Sequence, residues 1–419
     1  MLQEAIVTVE TQYVGPDAVQ ALVHYAQAQG LDRLTLISDD RTWPALGEAV
    51  HSALSGVGAD VQLALLEGEE VIADGERVLE IMAPGNQNDR TFLAVGAGTI
   101  TDLTRFVSHR LARPFISLPT APSADAFTSA NAPMVVNRFK RTLDAQEPMA
   151  VFADMNVLCA APSDMIAAGV GDILGKYTAL ADWRLGALLW DEEIDQSVMD
   201  TMYRVLHNVS GQLDAIGRRE AVGIAELMRG LLDSGTAMAH WVNSRPASGS
   251  EHHLSHYWEM ILLQQGRPAA LHGAKVGVGA VLMARSYQNL REISVDEVRA
   301  RLERTPRAQP DEERIRIRAG YGALAEQVIA EHAEALEMLP VLSVRMRTRL
   351  VDHWEDVRAI AEDVPPPEEI AAQLRKVGGP THPADLGFTA LEIDDALRYA
   401  HYMRSRLTVR WVERALGLL

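Results

Sequence analysis

Along the first 160 residues, short apolar runs alternate with amphipathic stretches. Leu34-Thr35-Leu36-Ile37-Ser38, Val61-Gln62-Leu63-Ala64-Leu65, Phe92-Leu93-Ala94-Val95, Phe115-Ile116-Ser117-Leu118 and Met149-Ala150-Val151-Phe152 read as strands. Pro16 to Gln29 reads as a helix, with Pro in its first turn and Gly30 as its stop. Pro44 to about Ser55 reads as a second helix, and a third follows Gly98 and runs through about Arg110. Strands separated by helices imply βαβ units and a mostly parallel sheet.

After Pro162 helical periodicity dominates, as in Asp172 to Trp190, Gln196 to Ile216, Ala269 to Leu290 and Pro310 to Leu336. The change of character near residues 155–165 predicts two domains, an α/β domain over 1–160 and an all-helical domain over 161–419. A cleft between two such domains is the natural place for a site. The charge-rich stretches Asp296–Arg307 and Asp311–Arg318 read as solvated helix faces, and Val364-Pro365-Pro366-Pro367 as a turn opening the next helix.

Composition narrows the function class. The chain has 419 residues and a net charge of −18, which argues against a general nucleic-acid binder. The single Cys159 cannot form an internal disulfide, which fits a reducing cytoplasm. Met1-Leu2-Gln3-Glu4 lacks the basic start of a signal peptide, and no apolar run is long enough to span a membrane. The expectation is a cytoplasmic protein without a membrane span.

Two polar loops follow strands. Val95-Gly96-Ala97-Gly98-Thr99 joins a strand to a helix, where glycine lets a phosphate approach the backbone and the helix start offers N–H groups. Asp102 stands in the first turn of that helix, where a carboxylate suits the dipole. The motif is not GxGxxG, and a tight turn that binds nothing is the alternative. Leu118-Pro119-Thr120-Ala121-Pro122-Ser123-Ala124-Asp125 leaves the neighbouring strand, and ligands of open α/β sheets bind at such carboxyl ends. Asp39 and Asp40 end the first strand; an acidic residue there would bind a ribose 2′-hydroxyl and favour NAD over NADP, with a plain polar loop as the alternative.

The helical half carries metal-ligand types. Gly171-Asp172-Ile173-Leu174-Gly175-Lys176, Ser250-Glu251-His252-His253-Leu254-Ser255-His256 and Leu271-His272-Gly273-Ala274-Lys275 offer one carboxylate and two well-separated imidazoles. Such a set suits a catalytic divalent metal with an open position. His252 and His256 share one helix face, as do Asp172 and Lys176. The order is not His-Glu-x-x-His, which argues against a zinc protease. Hydrogen-bonded core histidines are the bland alternative.

The segments VGAGTITDLTRFVSH (95–109), RPFISLPTAPSADAFTS (113–129), AAGVGDILGKYTALADWRLG (167–186), RPASGSEHHLSHYWEM (245–260) and LHGAKVGVG (271–279) carry a resemblance over essentially the whole chain. The chain resembles the iron-containing-type alcohol dehydrogenases, a superfamily that includes glycerol dehydrogenase and dehydroquinate synthase. Within it the likeness is greatest to the sn-glycerol-1-phosphate dehydrogenases, in their bacterial AraM-like branch. The resemblance implies a Rossmann-like nucleotide-binding domain and an all-α domain in a dehydroquinate synthase-like fold. It implies metal ligands at Asp172, His252 and His272. It implies cofactor contacts from Gly96, Gly98, Thr99 and Asp102 and from Thr120 and Ser123; Ser129 and the strand-end Asp39 are expected beside them. Asp125 matches a carboxylate that faces substrate hydroxyls; His256, one turn beyond His252, is expected to orient a ligand or relay a proton, with a merely hydrogen-bonded His as the alternative, and Lys176 is expected to act on substrate. Archaeal members usually carry a further Ala and a His where this chain has Pro122 and Ala124, which points to the bacterial branch. Lys176 stands where the iron enzymes have a further His, so a three-ligand site is implied, with zinc first and nickel as the alternative metal.

The activity implied is interconversion of dihydroxyacetone phosphate and sn-glycerol 1-phosphate by hydride transfer with NAD(P)(H). The metal would polarise the C2 oxygen. Lys176, Arg245 and Lys275 are the candidate cations for the phosphate. A homodimer or higher homo-oligomer is expected. Glycerol dehydrogenase is the nearest rival, a dehydroquinate-synthase-like cyclase a more distant one, and a catalytically idle metal-binding relative the alternative outside enzymes.

Overall fold

The computed structural model describes residues 9, 11–68, 70–83, 89–136, 139–241 and 243–419, so Met1-Leu2-Gln3-Glu4 lies outside the described residues. The chain forms two compact units. One takes the chain up to Ile173 together with Arg204–Ser244 and Lys376–Gly378. The other takes Leu174–Tyr203, Arg245–Arg375 and Gly379–Leu419.

The first unit is built on eight strands: β1 Thr11–Gly15, β2 Arg33–Asp39, β3 Asp60–Leu66, β4 Thr91–Gly96, β5 Phe115–Pro119, β6 Asn131–Val136, β7 Phe139–Asp144 and β8 Ala150–Asp154. Six of them make one parallel sheet in the order β1-β8-β5-β4-β2-β3, and β6 and β7 form an antiparallel hairpin. Five of the six parallel strands are those expected from the apolar runs. β1 and the hairpin are additions. β1 is an edge strand of mixed polarity, TQYVG, paired only with β8, so its sequence carries little strand signal.

Helices α1 Ala18–Ala28, α2 Glu48–Gly56, α3 Gly75–Met82 and α4 Gly98–Arg110 connect the strands. α2 is preceded by a π-helical turn, Trp43–Gly47. Successive residues of a strand face opposite sides of the sheet, and two apolar layers result. Leu34, Leu36, Leu93, Val95, Ile116 and Leu118 pack with Leu22, Val23, Val50 and Leu54 of α1 and α2. Ile37, Phe92, Ala94 and Phe115 pack with Ile81 of α3 and with Ile100, Leu103 and Val107 of α4. Being buried on both sides explains why the strands read as continuous apolar runs.

The chain does not divide at residue 160 alone. Helices α5 Met155–Ala160, most of α6 Ser163–Leu174, part of α8 Gln196–Gly211, α9 Leu213–Gly217 and α10 Ala221–His240 belong with the sheet. α7 Lys176–Trp190, lying between α6 and α8, belongs to the other unit. The reason is close packing by small residues. A Cβ on Gly169 of α6 would lie 1.9 Å from the Pro122 carbonyl oxygen. One on Gly235 of α10 would lie 2.2 Å from Thr128 Oγ1. Only glycine lets these helices touch the loop after β5.

The second unit is helical. It contains α7, α11 Ser250–Gln265 and α12 His272–Arg291, followed by further helices to Val409–Ala415. Trp183, Trp258 and Tyr287 are fully buried within it, and Trp258 stacks on Phe388 at 5.2 Å. The long helical stretch expected from Pro310 to Leu336 is broken: a helix covers Pro310–Tyr321, and Gly322 then takes φ +49°. A residue with positive φ cannot continue the helix, and glycine adopts such a φ without strain. Asp172 to Trp190 likewise divides at Gly175, and Gln196 to Ile216 at Gln212.

Candidate functional site

In the first unit, β4 and β5 pair with Gly96 opposite Pro119. The loops leaving their carboxyl ends are therefore neighbours, and Thr120 N–H donates to Gly96 O at 3.2 Å. The two glycines of the turn do different things. A Cβ on Gly96 would meet Ile100 at 2.6 Å, so Gly96 lets α4 fold back on its strand. A Cβ on Gly98 would meet nothing within 4 Å. Ala97 provides no capping side chain, and the first main-chain bond of the helix is Thr101 N–H to Ala97 O. The N–H groups before it point out of the helix start beside open space, which is the geometry of an anion cradle. Thr99 is exposed at this start, and Thr120 and Ser123 are buried in the adjoining loop.

Other predicted cofactor residues serve the local backbone. Asp102 bonds Arg105 Nη1 at 2.8 Å, and that buried guanidinium also donates to the carbonyls of Ala126, Phe127 and Asn131. Asp102 therefore holds the loop after β5 through Arg105. Ser129 Oγ accepts from Asn131 N–H at 3.0 Å, at the start of the hairpin. Asp39 Oδ1 accepts from Arg41 N–H, Thr42 N–H and the Thr42 hydroxyl at 2.7–2.9 Å, closing a turn at the end of β2.

Asp125 and Asp172 come together. Asp125 N–H donates to Asp172 Oδ2 at 3.0 Å, and Asp125 Oδ2 accepts from Ser234 of α10 at 2.8 Å. Asp172 is fully buried and Asp125 nearly so. A buried carboxylate held by a backbone N–H is oriented in the way metal-binding carboxylates are.

In the second unit, His252 and His256 of α11 meet His272 at the start of α12. The ring centroids are 5.2 Å apart for His252–His272, 5.5 Å for His256–His272 and 6.2 Å for His252–His256. Glu251 sets the first of them. Its Oε1 lies 2.8 Å from His252 Nδ1 and accepts from Gly249 N–H at 2.7 Å, while its Oε2 accepts from Thr178 at 2.5 Å. Burial raises the Glu251 carboxyl, but these bonds outweigh burial and hold it below its usual range. A carboxylate on Nδ1 leaves Nε2 of a neutral imidazole as the ligand atom. The pair therefore fits a soft-to-borderline divalent cation. Glu251 was missed from sequence, although an acidic residue directly before a candidate ligand in a first helical turn was the available signal.

The opening of α11 is anchored by Asp182 of α7. Asp182 Oδ2 accepts from Ser250 N–H and Oγ, and Oδ1 from the Tyr287 hydroxyl and Val409 N–H, all at 2.6 Å. Burial, followed by the Glu251 charge, pushes Asp182 up to about 6 against these bonds. Gly249 and Gly279 permit the close approach: a Cβ would lie 2.6 Å from Asp182 Oδ2 at the first and 2.7 Å from Glu251 O at the second.

The three candidate cations differ. Arg245 is a strut, bonding Glu192 at 2.7 Å and the carbonyls of Asp182 and Leu407 at 2.8 and 2.9 Å. Lys275 is buried on α12 with Nζ 3.5 Å from Glu259 Oε2, which also lies 3.7 Å from His256 Nδ1. Lys176 is buried at the first position of α7.

Residues 13–162 match the family described as iron-containing alcohol dehydrogenase. A glycerol-1-phosphate dehydrogenase [NAD(P)+] of Geobacillus thermodenitrificans is 35% identical over 401 residues, covering 95% of this chain and 90% of its own. That of Bacillus subtilis is 32% identical, covering 96% of this chain and 90% of its own. Among solved structures, a "probable glycerol dehydrogenase" from Sinorhizobium meliloti superposes with a TM-score of 0.64 at 17% identity, covering 99% of this chain and 97% of that one. The last shows the fold alone, a parallel-sheet unit with a helical unit as in the dehydroquinate synthase-like proteins. The chain belongs to the glycerol-1-phosphate dehydrogenases, a family of oxidoreductases within the iron-containing alcohol dehydrogenases.

Proposed function

We propose that this protein interconverts dihydroxyacetone phosphate and sn-glycerol 1-phosphate with NAD(P)(H), using one divalent metal, zinc first, held by Asp172, His252 and His272. The observation that carries the reading is 35% identity to a glycerol-1-phosphate dehydrogenase over 95% of the chain. The carboxylate-oriented His252, with His272 beside it, supports the metal. Zinc, when bound, supplies a Lewis acid for the C2 oxygen, and the dihydronicotinamide, when bound, supplies the hydride.

The chain's own residues do the rest. Glu251 fixes the tautomer of His252, and Asp125 N–H orients Asp172. The helix start at Gly98 and Thr99 takes the cofactor's pyrophosphate, with Thr120 and Ser123 beside it. Asp125, steadied by Ser234, faces a substrate hydroxyl. His256, only partly buried, moves the hydroxyl proton between the site and solvent, with Glu259 behind it. Lys176 gives no fourth imidazole after Asp172, which leaves three protein ligands. The reading carries with it a cytoplasmic homodimer. No helix among the described residues is long and apolar enough to cross a membrane.

The test replaces His252 or His272 by Ala and follows bound metal by elemental analysis and turnover by NADH oxidation. Both variants should lose metal and reduction of dihydroxyacetone phosphate. Full metal content with normal turnover would overturn the ligand set. A wild-type preference for glycerol over glycerol 1-phosphate would move the assignment to a polyol dehydrogenase.

A further inference from the structure

The helix Ala333–Asp352 of the second unit carries an apolar stripe that its own unit leaves uncovered. Its inner side is formed by Leu336, Leu339, Ser343, Met346 and Leu350, all buried. On the opposite side Met338, Val341 and Val344 are 48%, 55% and 43% exposed. A spacing of i, i+3 and i+6 puts all three on one face. Exposed Glu334 and Glu337 continue that face toward the helix start, and exposed Arg345 and Thr348 toward its end. Ile315, 65% exposed on the neighbouring helix Pro310–Tyr321, extends the patch beside Arg314, whose guanidinium pairs with Glu337. A contiguous apolar patch marks an interaction site, whereas a single exposed residue such as Val222 or Leu391 needs no partner.

The order of residues along the face says what covers it. Counted outward from Val341, it repeats in polarity and inverts in charge. Met338 lies three residues before and Val344 three after; Glu337 lies four before and Arg345 four after. Two copies of the helix laid antiparallel about a twofold axis at Val341 set Val341 against the partner's Val341. The same axis sets Met338 against the partner's Val344 and Glu337 against the partner's Arg345. A twofold interface requires this self-complementarity, because each contact occurs twice with the roles exchanged. A parallel arrangement would instead oppose like charges at both ends. Within the chain Glu337 pairs with Arg314 and Arg345 with Asp191, yet their side chains stay 66% and 42% exposed. Such exposed charges fix the register of a contact and add little affinity, which the apolar stripe supplies. An anionic membrane surface fits poorly, since two carboxylates stand on the face of a chain with net charge −18.

We propose that the exposed face of the helix Ala333–Asp352 docks a second copy of this chain, helix against helix and antiparallel. The proposal gives a face to the homodimer carried by the proposed function. It uses none of the catalytic or metal-binding residues, so the two readings fail separately.

Sedimentation of the full-length protein should show a species of twice the 45.9 kDa chain mass. Val341→Glu puts two carboxylates on the axis and should raise the dissociation constant of the dimer at least roughly 100-fold, as facing like charges predict. Val222→Glu, at a similarly exposed position of α10, should leave it unchanged. A monomeric wild type overturns the proposal. So does a Val341→Glu variant that associates as the wild type does, which would move the homodimer to another face. An equal loss in the two variants overturns it as well. Should Val341→Glu not fold, as judged by its melting transition, Val341→Cys on a Cys159→Ser background decides. Packed helices lie about 8–10 Å apart, which brings facing Cβ atoms within disulfide reach. Oxidation with diamide should then link two chains through Val341→Cys and not through Val222→Cys on the same background. No linked dimer from the first, or equal yields from both, overturns the proposal.

Discussion

The two units hold polar chemistry out of bulk water by opposite means. In the sheet unit the work is done by backbone and by the absence of side chains. Gly98 leaves the start of α4 open, and Gly169 and Gly235 let helices close on the loop that carries Thr120, Ser123 and Asp125. In the helical unit the work is done by buried charge. Asp182, Glu251 and Arg245 are all buried and make ten hydrogen bonds around the start of α11. The first design tolerates little added volume. The second tolerates little change of charge or loss of a partner. A nucleotide needs a shaped surface of N–H groups and a metal needs oriented lone pairs; on the proposed reading the sheet unit supplies the first together with Asp172, and the helical unit supplies the two imidazoles.

The contrast can be broken in order of expected effect. Asp182→Ala should be the most damaging. It strips four donors of their acceptor and leaves the start of α11 unsupported. A loss of about 3–5 kcal/mol in unfolding free energy is expected for breaking such a buried network, read from urea denaturation. A loss below about 1 kcal/mol would show that helix packing alone positions α11.

Gly169→Ala is the matching change in the sheet unit. The new methyl meets the Pro122 carbonyl at 1.9 Å, so the loop or the helix must move. A cost of about 1–3 kcal/mol is expected from overpacking. The shift should raise the KM for the nicotinamide cofactor, because Thr120 and Ser123 ride on that loop. A variant with wild-type stability and cofactor KM would show the loop to be pliable.

The smallest effect tests whether charge also counts in the sheet unit. Burial pushes Glu147 up to about 7, against the pull of Arg105. Its folded-state pKa lies above its unfolded value, so this group favours folding at low pH. That contribution is lost as pH rises from about 4.5 to about 7. Glu147→Gln should flatten the fall of Tm across that window. An unchanged slope would assign the pH dependence elsewhere.

Much of the sheet unit was legible because parallel strands buried on both faces must be continuously apolar. The runs at 34–38, 61–65, 92–95 and 115–118 each became a strand within a residue or two at either end. The metal-ligand types stood out by chemistry, with hydrogen-bonded core histidines as the alternative, and the set Asp172, His252 and His272 came with the resemblance. The edge strand β1, the hairpin β6–β7 and the break at Gly322 were not legible, because pairing and turn geometry decide them. Glu251 and Asp182 were not singled out either. A Glu before a His, or an Asp within a helix, is ordinary until burial and partners are known.

By itself the sequence determined the alternation of strands and helices, the glycine turn after β4 and the candidate ligands, because periodicity and residue chemistry are local properties. Only the tertiary structure decided that α9 and α10 belong with the sheet and that Arg245 is a strut. It alone put a carboxylate behind His252 and tied Arg406 to the residues before α11. Those outcomes depend on residues tens to hundreds of positions apart. Burial sets their strength, and no local pattern encodes which distant group will be the partner.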